Sequence, residues 1–200
     1  MGKLSSFPLV NYISKGLTTL VETGTGTGSG VDYARGHPFD RIISCEIDVA
    51  QTEMLTRRYA GDSRVEIRCQ KSVDFLTEIV PTLGLSVFFL DAHFPAADLG
   101  RASYDNEKDL DIRLPLEREL DILWDNRRWN DVIIIDDLRI YERGPFEGRN
   151  LDEIGYANIA RYDAPDFFKR WEATHEVVKR YDDTGYVVMT PKSFNLVKLV

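Results

Sequence analysis

Cysteine is scarce in this chain: two among 200 residues, Cys45 and Cys69, with no partner at metal or redox spacing. Each lies in an apolar stretch, so both are expected as buried free thiols in a reducing compartment. Long hydrophobic runs are also missing. The longest, such as residues 132–135, have the length of a strand and cannot span a bilayer. No apolar stretch with a cleavage site follows the N-terminus, so no signal peptide is read and the cytoplasm is the expected location. Positive charge is in deficit, with 25 Lys and Arg against 33 Asp and Glu and a net charge of −8. Such a chain repels phosphate backbones, which argues against general nucleic-acid binding. Repeats, low-complexity stretches and Pro/Gly linkers are absent too, so residues 1–200 are expected to form one domain.

What the chain does have is glycine at every second position in one place. A short apolar run, Leu20-Val21, ends in Glu22 and passes into Thr23-Gly24-Thr25-Gly26-Thr27-Gly28-Ser29-Gly30. Backbone without Cβ atoms lets amide groups approach a ligand closely, and between a strand and a helix such a loop cradles a nucleotide. Strand-like runs at 18–22, 41–46, 65–70, 86–90 and 132–135 alternate with helix-like segments at 29–35, 50–59, 73–80 and 115–124. An opening helix is expected within 7–17 and another near 165–171. Runs at 176–181 and 186–189, joined by Asp182-Asp183-Thr184-Gly185, read as a terminal antiparallel hairpin. The fold class is α/β: a Rossmann-like, doubly wound, mostly parallel sheet that ends in this hairpin.

Ligands of open α/β sheets bind at the carboxyl ends of the strands, and acids recur there. Glu22 ends strand one, Glu46 strand two, Asp91 strand four, and Asp136-Asp137 strand five. Glu46 stands roughly twenty residues past the glycines, where a carboxylate takes the hydroxyls of a ribose. That spacing suits NAD and other adenosine cofactors alike. The glycine register separates them: G-x-G-x-x-G counted from Gly24 needs glycine where Ser29 stands, and from Gly26 where Val31 stands. A pyrophosphate fits this loop poorly, and Glu22 suits a cationic ligand better.

The segment Val21-Glu22-Thr23-Gly24-Thr25-Gly26-Thr27-Gly28 resembles motif I of the class I S-adenosylmethionine-dependent methyltransferases. The acid ending strand two and the terminal hairpin match that family's seven-stranded pattern across nearly the whole chain. The resemblance implies S-adenosylmethionine as cofactor. It places Glu22, Gly24 and Gly26 about its methionine end, Glu46 at the ribose, and Gln70, Lys71 and Ser72 near the adenine, with Thr25, Gly28 and Ile47 as further cofactor contacts. Asp91 would also touch the cofactor.

Asp91, Asp136 and Asp137 would converge at neighbouring strand ends and repel one another unless neutralised. A hard divalent cation, Mg²⁺, is the simplest neutraliser. The pattern is similar to metal-dependent O-methyltransferases, above all macrocin O-methyltransferase-like sugar enzymes, with one aspartate after strand four and an Asp-Asp pair after strand five. In that reading Asp91, Asp136 and Asp137 are the metal ligands, Asp91 and His93 the catalytic groups, and His93 the base, its ordinary pKa being near neutrality. The chain departs from its relatives here, with His93 where the macrocin type has aspartate and Phe94 where the catechol type has lysine.

Two loops are expected to shape an acceptor site: 94–112 with Arg101 and Tyr104, and 139–146, where Tyr141 and Phe146 would stack on a ring and Arg139 would pair with an anion. The run Glu117-Arg118-Glu119 reads as a solvated helix face. Trp124, Trp129 and Trp171 read as packing residues, and His37 and His175 as structural or exposed. The expected function is methyl transfer to a hydroxyl of a small molecule, a sugar, phenol or similar. An NAD(P)-dependent oxidoreductase and a non-catalytic nucleoside-binding protein are the alternatives. Little chain precedes strand one to cover an acceptor, which predicts an open pocket or one completed in a homodimer.

Overall fold

The computed structural model describes residues 3–97, 99–127, 130–163 and 166–194. Seven strands form one sheet: β1 Thr19–Thr23, β2 Arg41–Glu46, β3 Val65–Cys69, β4 Ser86–Leu90, β5 Val132–Ile135, β6 His175–Arg180 and β7 Tyr186–Pro191. Their order is β3-β2-β1-β4-β5-β7-β6. The first five run parallel, whereas β7 lies antiparallel between β5 and β6. The order reverses between β1 and β4, the switch point where α/β sheets bind ligands.

Alternation along the strands builds two layers. Val21, Ile43, Phe88 and Ile133 face one side, where they pack with Phe75 and Leu76 of α4 (Ser72–Ile79) and Leu120 and Leu123 of α6 (Leu116–Arg127). Leu20, Ile42, Val87, Phe89 and Ile134 face the other side. There they meet Leu9 of α1 (Leu9–Ile13), Val31 and Ala34 of α2 (Ser29–Arg35), and Leu55 and Tyr59 of α3 (Val49–Tyr59). A third, smaller cluster of Phe94, Leu114, Ile140, Leu151 and Ile159 roofs the carboxyl ends of β4 and β5. It includes the neighbourhood of α5 (Leu110–Arg113).

Some expectations need correction. Cys45 is buried, but Cys69 is exposed because β3 is an edge strand; both are free. The opening segment is a 3-10 turn, Leu4–Ser6, followed by the short α1. Near 165–171 the described chain forms a 3-10 turn, Lys169–Ala173, while 164–165 lie outside the described residues. Trp124 and Trp171 pack edge to face, with ring centres 5.3 Å apart; Trp129 lies outside the described residues. His175 is buried, with Nε2 2.9 Å from the Asp131 carbonyl, and His37 sits 2.9 Å from the Tyr33 carbonyl. Among the described residues no helix is long and apolar enough to cross a membrane.

Candidate functional site

The glycine loop hangs from the end of β1. The amides of Gly24 and Thr25 both donate to the Cys45 carbonyl at 3.0 Å, which pins the loop to β2. Gly24 has φ +78°, and a Cβ there would lie 2.6 Å from the Asp91 carbonyl oxygen, so only glycine lets the loop pass the end of β4. Glu46 braces the loop from the other side: its carboxylate accepts from the Gly26 amide and from the Asp48 amide, each at 3.0 Å. Asp48 caps α3 by accepting from the Gln51 amide at 2.8 Å. That amide and Arg101 hold the Asp48 carboxyl below its usual range.

A cleft of about 790 Å³ opens over this loop. Its walls carry Gly24, Gly26, Glu46, Ile47, Gln70, Lys71, Ser72, Asp91 and His93. The 94–112 loop forms the outer wall through Phe94, Pro95, Ala96, Leu99 and Ile112. Arg101 straps that loop to α3, donating to Asp48 at 2.8 Å and to Gln51 at 3.3 Å. Arg101 therefore serves the glycine-loop side and not the acceptor side expected for it.

Three residues named for cofactor binding stand outside this cleft. Glu22 and Thr25 line a smaller recess on the other side of the loop, together with Gly24, Gly26 and Asp91. Thr25 Oγ1 is 2.6 Å from the Ser44 hydroxyl, which itself donates to Glu22 Oε2 at 2.6 Å. Burial pushes the Glu22 carboxyl up to about 8 against that hydrogen bond, and the charges of Asp91 and Glu46 add to the rise. Burial thus works against the charged form of Glu22 that a cationic ligand would favour. Gly30 makes room for it, since a Cβ there would collide with Glu22 Oε1. Gly28 lines no cavity described here; its carbonyl accepts from the Tyr59 hydroxyl at 3.0 Å.

The second half of the site gathers at β4 and β5. The Asp91 amide donates to the Thr23 carbonyl at 3.1 Å and the Asp136 amide to the Leu90 carbonyl at 3.1 Å, so the three strand ends are laced together. His93 Nε2 lies 2.8 Å from Asp137 Oδ2 and 3.3 Å from Asp91 Oδ1. Burial lowers the His93 pKa, but Asp137 and Asp91 outweigh it and hold it well above the ordinary imidazole value. Burial alone would raise Asp137; the His93 contact draws it below the usual carboxylate range instead. Asp91 is raised, by desolvation first. Asp136 stands behind them, 3% exposed, with Oδ1 accepting from the Asp137 amide at 2.7 Å and from the Thr184 hydroxyl at 3.3 Å. Its Oδ2 is buried without a hydrogen bond, and desolvation, Asp91 and Asp137 drive its pKa well up. One donor atom each from Asp91, His93 and Asp137 fall within 4.8 Å of one another, whereas Asp136 is not part of that group.

The backbone is strained at the same place. Phe94, Ala96 and Asp137 adopt φ of +41°, +62° and +52°, a region L-residues rarely enter and one that clusters at binding sites. Beyond them lies a second cavity of about 520 Å³, lined by His93, Phe94, Tyr104, Asp137, Arg139, Ile140, Leu151, Ile154, Tyr156 and Ile159. His93 and Phe94 belong to both cavities. Of the residues expected to shape the acceptor site, Tyr104 and Arg139 line this space. Tyr141 packs on Phe167, and Phe146 is buried in the main core against Tyr181, because Gly185 leaves room for its ring.

Glu119 is the clearest residue missed. It is 1% exposed, not on a solvated face, and burial raises its carboxyl to about 7 despite the Ser72 and Thr23 hydroxyls. The signal was present: Leu116, Glu119, Leu120 and Leu123 form the i, i+3, i+4, i+7 stripe that turns inward, while Glu117 and Arg118 stay exposed.

No family model matches the chain, and no curated protein matches it in sequence. Solved structures match in shape. A Podospora anserina methyltransferase with bound SAH (S-adenosylhomocysteine) superposes with a TM-score of 0.57 at 12% identity, covering 92% of this chain and 76% of that one. An N-methyltransferase of Bradyrhizobium japonicum gives 0.52 at 11% identity, covering 92% of each chain. A Thermotoga maritima spermidine synthase gives 0.51 at 16%, covering 86% of this chain and 53% of that one. What they share with this chain is the seven-stranded α/β methyltransferase fold.

Proposed function

We propose that this chain is an S-adenosylmethionine-dependent methyltransferase that methylates an oxygen of a small-molecule acceptor. One observation carries the reading: two cavities, one over a glycine loop and a ribose-type carboxylate, meet at a single titratable side chain, His93. A group-transfer enzyme needs that arrangement, since both reactants must be held with their reacting atoms adjacent. The fold shared with the SAH-bound Podospora protein supports the same cofactor.

The first cleft fits the nucleoside. Glu46 has one lone-pair side left on each oxygen after its two backbone contacts, enough for the two hydroxyls of a ribose. Gln70, Lys71 and Ser72 border the far end, where an adenine would lie. Bound there, S-adenosylmethionine would supply an electrophilic methyl group for the acceptor oxygen. His93 takes the acceptor's proton. Asp91 and Asp137 both hold its Nε2 and so orient the ring. Because they also hold it protonated, turnover is expected to rise with pH beyond the ordinary imidazole range.

A divalent cation is a second role for the same cluster. Asp91, His93 and Asp137 would hold it, and the buried, unpartnered Asp136 Oδ2 favours added positive charge nearby. A donor set with an imidazole suits Mn²⁺ better than the oxygen-seeking Mg²⁺. Such an ion would acidify the acceptor hydroxyl, and His93 as its ligand would cease to be the base. A chelator separates the two roles.

Residues 1–200 act in this reading as one domain, in the cytoplasm. An NAD(P)-dependent oxidoreductase is disfavoured by β7, inserted antiparallel beside β5, and by the glycine register. Thermal melting with SAH and with NAD⁺ tests the proposal. SAH is expected to raise the Tm and NAD⁺ to leave it unchanged; the reverse would overturn the assignment.

A further inference from the structure

The second cavity has a composition that selects a chemical class. Rings and aliphatic side chains share its wall with His93, Asp137 and Arg139. Phe94 and Tyr104 meet edge to face at 5.3 Å, and Tyr104 meets Tyr156 at 5.4 Å, so three aromatic residues run from the His93 end toward the rim. Tyr156 is 42% exposed there, and Ile140 closes the inner side at 2%. Rings so placed receive a flat apolar body by edge or offset contact. A sugar ring carries hydroxyls around its whole edge, more than His93, Asp137 and Arg139 can pair in this wall.

One cation stands in this wall with donors to spare. The Arg139 side chain is 22% exposed; its Nε lies 3.6 Å from Asp137 Oδ1, and its Nη1 makes one long hydrogen bond, 3.4 Å, to the Gly148 carbonyl. Nε is buried without a hydrogen bond, and Nη2 has no partner among the described residues. Asp137 meets the guanidinium only at Nε, through Oδ1 at 3.6 Å, while its Oδ2 is held by His93 at 2.8 Å, which leaves Nη2 for a ligand. A planar fork with free N–H groups in a partly desolvated wall is the arrangement that reads a carboxylate.

Resting on the methyltransferase reading above, we infer that the acceptor is a hydroxylated aromatic acid, its ring against the wall formed by Phe94, Tyr104 and Tyr156 and its carboxylate on Arg139. The hydroxyl then falls at His93, the one titratable group that this cavity shares with the cofactor cleft.

The test uses dihydroxybenzoate, dihydroxybenzamide and a methyl glucoside, with the full chain and with Arg139→Gln. Binding is measured by calorimetry in the presence of SAH, and turnover by SAH release from S-adenosylmethionine. The acid is expected to bind at least about tenfold tighter than the amide. Arg139→Gln is expected to remove that preference, with KM for the acid rising about tenfold and KM for the amide changing less than about twofold. Equal binding of acid and amide by the unmodified chain, an equal loss of both in Arg139→Gln, or a preference for the glucoside would each overturn the inference. If the acid binds and Arg139→Gln abolishes that binding, but SAH neither binds nor forms, the cavity assignment stands and the methyltransferase reading falls. A thermal melt of Arg139→Gln within a few degrees of the unmodified chain shows that the comparison is between folded proteins.

Discussion

The two halves of the site are built by different means. The glycine-loop half uses backbone: amides of Gly24, Thr25 and Gly26 pinned to Cys45 and Glu46, with one carboxylate facing the cleft. The half at the ends of β4 and β5 uses side chains that titrate, Asp91, His93, Asp136 and Asp137, on a backbone that takes left-handed conformations at Phe94, Ala96 and Asp137. Backbone recognition depends on shape and barely on pH. The charged cluster depends on which proton is where. The first half suits holding a ligand of fixed form, the second suits moving a proton.

Substitutions in the two halves should therefore fail differently. The largest separation is expected from His93→Gln, where kcat should fall about 10²- to 10³-fold while SAH affinity changes less than about threefold. Steady-state kinetics beside calorimetry checks this, and a parallel loss of affinity would erase the distinction between the halves. Gly24→Ala should do the opposite: a Cβ 2.6 Å from the Asp91 carbonyl, at φ +78°, should weaken SAH binding about 100-fold.

The next effect concerns stability. The Glu22 carboxyl is raised from 4.5 to about 8 in the folded chain. Its favourable share of stability is complete below pH 4.5, is lost as pH climbs toward about 8, and stays lost above that. Glu22→Gln should remove this slope and make the chain roughly 2–4 kcal/mol more stable at pH 9 relative to the parent. Denaturant melts across that range read it, and a slope unchanged by the substitution would place the titration elsewhere. The smallest effect belongs to Arg101→Ala, which unties an exposed strap and should weaken SAH binding only about two- to threefold.

The same contrast explains what was legible in the residues beforehand. Strands 41–46, 86–90 and 132–135 are found at their expected bounds, since continuous apolar runs ending in acids leave little choice. The glycine spacing announced a cradle because backbone recognition leaves its mark in composition. The second cavity left no such mark. Tyr104, Arg139, Leu151 and Tyr156 come from loops and 3-10 turns without periodicity, and only the folded chain brings them beside His93. Phe146 was expected in that cavity and instead fills the core, because the space left by Gly185 sits elsewhere in the sequence. Glu119 was hidden by its charge: two neighbours in the same run are exposed, and only its place on the Leu116–Leu123 stripe marks it as buried.

The central claim is that one imidazole stands where the two cavities meet. The chain has three histidines, His37, His93 and His175, so their ring signals are separable by nitrogen-detected NMR. On titration with SAH the account predicts that the His93 resonances shift while those of His37, beside the Tyr33 carbonyl, and His175, buried against Asp131, stay in place. A saturable SAH complex in which the His93 signals do not move would contradict it.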